Sequence, residues 1–111
     1  MNIGCWIGYT HHGMIEHIYC ENNGTPEGVL ALLRQHYTDE DTVHSLVELG
    51  DIHTLGDSVS TTVAYHRDLN ESHEHQCSDP SCFFGAREVK YKYVFSCGTW
   101  HAYYLSKEQP W

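Results

Sequence analysis

Val89, Tyr91, Tyr93 and Phe95 fall on one side of a period-two pattern whose other side carries Glu88, Lys90 and Lys92. Successive side chains of an extended chain point to opposite faces, so Glu88 to Phe95 predicts a strand with one apolar and one solvated face. Ile3 to Tyr9 and Met14 to Cys20 also read as strands. Thr10-His11-His12-Gly13 joins them, and its glycine suits a hairpin loop. Ser60 to His66 returns to strand character, with Thr61, Val63 and Tyr65 on one face. Cys97-Gly98 marks a turn, and Thr99 to Leu105 forms a last strand before a polar tail to Trp111.

Two helices are expected between the second and third strands. Thr25 is a natural N-cap, Pro26 suits the first helical position and Glu27 the positive end of the helix dipole. Val29, Leu30, Leu33 and Tyr37 then recur at helical spacing and predict a core-facing stripe. Thr38 with Asp41 forms a variant capping box, Asp39 and Glu40 load the first turn, and Val43, Leu46 and Val47 supply a second buried face. Gly50 is placed to end that helix in a left-handed conformation. In the connector from Asp51 to Asp57, Ile52 and Leu55 are expected to tuck inward.

The order ββ-αα-βββ is that of an α+β fold: an antiparallel sheet of about five strands with a two-helix pair on one face. At 111 residues the chain fits a single domain spanning 1–111. The stretch 67–86 is long for a loop in a small domain and needs something to hold it. No basic leader segment opens the chain, and no stretch reaches the ~18 apolar residues of a membrane-spanning helix, so a cytoplasmic protein is expected.

Charge sharpens the picture. Fifteen acids oppose six bases, for a formal net charge of −9. The excess is local: between residues 39 and 79 lie Asp39, Glu40, Asp41, Glu48, Asp51, Asp57, Asp68, Glu71, Glu74 and Asp79, with Arg67 as the single base. Such a segment opposes direct contact with nucleic acid, whose phosphates need basic neutralisation. It suits solubility, or a basic protein partner. Asp39, Glu40, Asp41, Asp51, Asp57, Asp68 and Glu71 are the candidate partner-binding residues. The carboxylates at 39–41 also have a purely structural reading as helix-start residues.

The stretch His73-Glu74-His75-Gln76-Cys77-Ser78-Asp79-Pro80-Ser81-Cys82 concentrates metal-ligand side chains. If it is extended, His73, His75 and Cys77 share a face, and turn chemistry at Asp79-Pro80-Ser81 brings Cys82 round to a fourth position. Two imidazoles and two thiolates suit tetrahedral zinc. The competing readings are an ordinary polar loop and a Cys77–Cys82 disulfide. Five cysteines, an odd number, argue against a disulfide framework. Hydrolytic zinc chemistry is less well supported, because Glu74 alternates with the two histidines and points away from them. Cys97 with His101 lacks any nucleophile signature. No phosphate-cradling glycine loop or nucleophile elbow is present, so a non-enzymatic role is expected.

Ile18-Tyr19-Cys20, Gly24-Thr25-Pro26-Glu27-Gly28-Val29, His36-Tyr37-Thr38, Leu49-Gly50-Asp51-Ile52 with Leu55-Gly56, and Thr62-Val63-Ala64-Tyr65-His66-Arg67-Asp68 occur in that order. Together they resemble a family of small phage and prophage accessory proteins of unassigned function. The resemblance covers Ile18 to Asp68 and stops short of the His/Cys stretch. It implies a viral or integrated-virus origin and carries no catalytic residues with it. Small acidic phage proteins of this kind include inhibitors of host defence, among them anti-CRISPR proteins. The expectation is therefore an inhibitor that binds a host immune protein or nuclease complex through its acidic centre, without touching nucleic acid or membrane. The alternative is a zinc-stabilised accessory module with a regulatory or weak hydrolytic role.

Overall fold

Cys5–His11 (β1) and Met14–Cys20 (β2) pair antiparallel, from Cys5 opposite Cys20 to His11 opposite Met14. Their loop is His12-Gly13 alone, with φ of 51° and 78°. Positive φ at both central residues is the two-residue hairpin turn whose twist matches the strands, so pairing runs on through His11. Gly8 in β1 answers to close packing: a Cβ there would lie 2.7 Å from the Glu16 carbonyl oxygen and 2.9 Å from the His17 Cβ. The computed structural model describes residues 3–71 and 76–111.

The remaining strands are Ile52–Thr54 (β3), Val63–Ala64 (β4), Gln76–Ser78 (β5), Tyr91–Ser96 (β6), Thr99–Tyr104 (β7) and Lys107–Gln109 (β8). They form one mixed sheet in the order β4-β3-β2-β1-β6-β7-β8, with β5 paired to β2 beside that path. The fold is α+β as expected, with more strands than predicted and with two parallel contacts. β1 runs parallel to β6, Cys5 opposite Tyr91 and Tyr9 opposite Phe95, and β2 meets β3 in parallel at Cys20 and Ile52. The polar tail contributes β8, which pairs with β7 across a turn at Leu105-Ser106.

Pro26–Leu30 forms a wide π-type turn that leads into Ala31–His36 (α1), and Glu40–Glu48 forms α2. The predicted stripes are buried: Val29, Leu30, Leu33 and Tyr37 from the first, Val43, Leu46 and Val47 from the second. They pack on Ile7, Ile18 and Tyr93 of the sheet. Asp39, one residue later than expected, is the N-cap of α2 and accepts from the Thr42 N–H at 2.8 Å. Gly50 has φ of 80° just past the helix end, the left-handed position that glycine takes at low cost. Ile52 and Leu55 are buried, as the pattern implied.

Two expectations are corrected. The strand over 60–66 shrinks to β4, and the chain turns at once into Tyr65–Leu69 (α3). The Asp68 carboxylate accepts from the Ala64 N–H at 2.8 Å, and Asn70 closes the helix with φ of 55°; these local bonds outcompete extension. Lys92 does not face solvent: it is 1% exposed. Pro80–Gly85 (α4), capped by Asp79, covers that face of the sheet with Phe83 at its centre. Ile15 and Val94 complete this second, smaller core, flanked by Trp6, Phe84 and Tyr103.

Candidate functional site

The seven candidate carboxylates divide by what each one holds. Asp39 accepts from both the N–H and the hydroxyl of Thr42. Asp51 accepts from the Tyr19 N–H at 2.9 Å, and Asp57 from the Thr61 hydroxyl at 2.9 Å. Asp68 binds the Ala64 N–H and pairs with Arg67 at 2.8 Å. The backbone and hydroxyl donors of Thr42 hold the Asp39 carboxyl below the usual carboxylate range, and the Arg67 guanidinium followed by the Ala64 N–H does the same for Asp68. Glu40, Asp41 and Glu71 are exposed, and among the described residues their side chains have no such structural duty.

Asp39, Glu40 and Asp41 stand at the start of α2, whereas Asp51 follows its end. A helix of nine residues spans about 13 Å at 1.5 Å per residue. Asp51, Asp68 and Glu71 gather instead around α3, where the Tyr65 N–H donates to the Asp51 carbonyl and the Glu71 N–H to the Tyr65 carbonyl.

The group at the start of α2 borders a cleft. Asp39, Glu40, Thr38, Tyr9, Phe95 and Cys97 are among the residues that line a space of about 360 Å³ between the helix and the sheet. Beside it the His44 ring stacks on Tyr9 with centroids 4.0 Å apart, and His11 meets both rings edge-on. The Tyr9 hydroxyl donates to Glu16 at 2.8 Å. Burial, then that carboxylate, push the Tyr9 phenol well above its ordinary range. Sequence reading passed over His44, although Glu40, His44 and Glu48 recur every four residues, the spacing that stacks side chains along one helix face.

The predicted zinc ligands His73 and His75 lie outside the described residues. Cys77, exposed in β5, stands opposite Glu16, on the sheet face that carries Tyr9 and α2. Cys82, also exposed, sits in α4, which covers the other face. The Asp79 carboxylate beside it pushes the Cys82 thiol up, away from the thiolate that metals and electrophiles take. Among the described residues, no group of three or more histidine, cysteine or carboxylate side chains is arranged to hold a metal ion.

Also among the described residues, no helix is long and apolar enough to cross a membrane. No family model matches this chain, and neither a curated protein nor a solved structure is similar to it.

Proposed function

We propose that this protein is a non-enzymatic binding module that takes a basic segment of a partner protein at the start of α2. The observation that carries this reading is the placement of Asp39 and Glu40 on the rim of a cleft whose walls include Tyr9 and Phe95. An arginine or lysine suits such a cleft. Its aliphatic stem packs on aromatic rings while its cationic head meets carboxylates, and a cation over a ring adds further attraction. The dense carboxylates of the central segment favour encounter with a basic surface at a distance. Proteins that grip nucleic acid present such surfaces, and the resemblance to phage accessory proteins suggests a host defence complex as the setting. Inhibition there requires only occupation of the partner's phosphate-binding groove.

The test is capture from host lysate at about 50 mM and about 500 mM salt, since exposed charges are screened within a few ångströms at the higher value. Wild-type protein is compared with a Glu40→Lys, Asp41→Lys double variant, which leaves the Asp39 cap in place. A specific partner should be held at low salt, released at high salt and lost from the double variant. Capture that ignores both salt and charge reversal would rule out this surface.

A further inference from the structure

We propose that Cys5 and Cys20 form a reversible disulfide across the two central strands, making this buried pair an oxidation site within the core. The two residues are direct partners in the β1–β2 ladder. Directly opposed residues of an antiparallel pair have Cα atoms about 4.5 or about 5.5 Å apart, according to their hydrogen-bonding position. Both values fall within the roughly 4.4–6.8 Å that a disulfide spans. Opposed side chains also share a face, so the two thiols project from neighbouring strands toward the same core. Cys20 donates to the Asn22 carbonyl at 3.4 Å. Both side chains are fully buried, so the pair is held by packing on every side.

The other cysteines are too distant to compete. Cys77 stands opposite Glu16, four residues along β2 from Cys20, or about 13 Å at strand rise. Cys97 lies six residues beyond Tyr91, the partner of Cys5 in β6, or about 20 Å away. Cys82 belongs to the helix on the opposite face.

The chemistry balances with a small-molecule disulfide as oxidant. Cys20 serves as the nucleophile, because the adjacent Cys5 first, and the backbone near Asn22 and Leu55 after it, lower its thiol pKa against the opposing effect of burial. Its sulfur bonds to one sulfur of the oxidant as the oxidant's S–S bond breaks, and the other sulfur leaves as a thiolate that takes up the proton lost by Cys20. The Cys5 sulfur then displaces the second half from the mixed disulfide and loses its own proton. Two protein thiols are oxidised to one disulfide while one small disulfide is reduced to two thiols. Because both thiols are buried, exchange requires the chain to open locally before Cys5, the first residue of β1, where the Gly24 N–H donates to the Ile3 carbonyl at 2.7 Å.

The test equilibrates the full chain in graded mixtures of reduced and oxidised glutathione, in native buffer and in concentrated urea. Thiols are then trapped by alkylation and linked peptides mapped by mass spectrometry. A Cys77→Ser, Cys82→Ser, Cys97→Ser variant, altered only at exposed positions, is run in parallel to isolate the buried pair. If the fold suits the bond, Cys5–Cys20 linkage in native buffer should withstand glutathione at least about tenfold more reducing than in urea, by linkage between oxidation and folding. The oxidised form should also melt higher than the reduced form, and dithiothreitol should erase the difference. Linkage in native buffer equal to or weaker than in urea, or Cys5 joined to another cysteine, would overturn the proposal.

Discussion

The Lys92 ammonium donates to the Phe83 carbonyl at 2.7 Å and to the Ala86 carbonyl at 2.7 Å, so a strand lysine closes the end of α4. The same ammonium lies 5.3 Å from the centre of the Trp6 ring and 5.6 Å from that of Phe83. Carbonyls at a helix C-terminus lack intrahelical donors and attract cations. Lys92 supplies both needs, and the aromatic rings shield the charge.

Replacing Lys92 by alanine should therefore cost about 2–4 kcal/mol, from carbonyls left without a donor and a void beside Trp6. Lys92→Met, which refills the void, should cost less. Burial lowers the Lys92 pKa. The unfolded chain then holds this proton to higher pH than the folded one, and Lys92 makes stability rise with pH just below the ordinary lysine value of about 10.4. Urea midpoints of the Met variant across that window should lack this rise.

Phe83→Ala attacks the same contact from the other side. Phe83 is fully buried and is one of three residues at the heart of the smaller core, with Ile15 and Val94. A loss of about 3–5 kcal/mol is expected. Hydrogen exchange should show α4 opening first, with protection kept in α2, whose buried face belongs to the larger core.

Tyrosines set the alkaline limit. Tyr93 is fully buried and donates to the Gly24 carbonyl at 2.7 Å. Burial first, then nearby acidic groups, raise its phenol far above the ordinary range, and burial raises Tyr9 and Tyr37 as well. A raised folded pKa contributes stability that is complete below the unfolded tyrosine value of about 10 and is lost as pH climbs above it. Urea midpoints should fall steeply above about pH 10. Tyr93→Phe should make that fall shallower while costing about 1 kcal/mol at neutral pH.

At the acid end the sign reverses. The lowered pKa values of Asp39 and Asp68 contribute stability that is present above the unfolded aspartate value of about 3.9 and is lost as pH falls through the folded values. Asp39→Asn keeps an N-cap acceptor and should flatten this loss, whereas Asp39→Ala should lower the melting temperature at neutral pH too. Thermal melts at about pH 6 and about pH 3 separate the two cases. Charge reversal at Asp68 is expected to unfold α3 locally through loss of the Ala64 and Arg67 contacts, so it is a poor probe of partner binding.

What the sequence determined by itself is local. The strand character of Met14–Cys20, the apolar stripes that lead into α1 and along α2, and Gly50 at the helix end each act within a few residues, and each was found as predicted; the strand expected over Glu88 to Phe95 is present as Tyr91–Ser96 but is buried on both faces. Asp79-Pro80 carried an equally local signal, an N-cap followed by a first-turn proline, and it does start α4. A helix of six residues offers too little periodicity to be read without it. Only the tertiary structure decided which strands lie side by side. The parallel contact of β1 with β6 joins residues more than eighty positions apart, and nothing in either strand's own pattern names its partner. Lys92 shows the same limit: polar alternation marked its face as solvated, until α4 covered it and offered carbonyls in place of water. The candidate site divides likewise. Its carboxylates are plain in the sequence, but the packing of α2 on β1 is what places Asp39 and Glu40 on the same cleft as Tyr9 and Phe95.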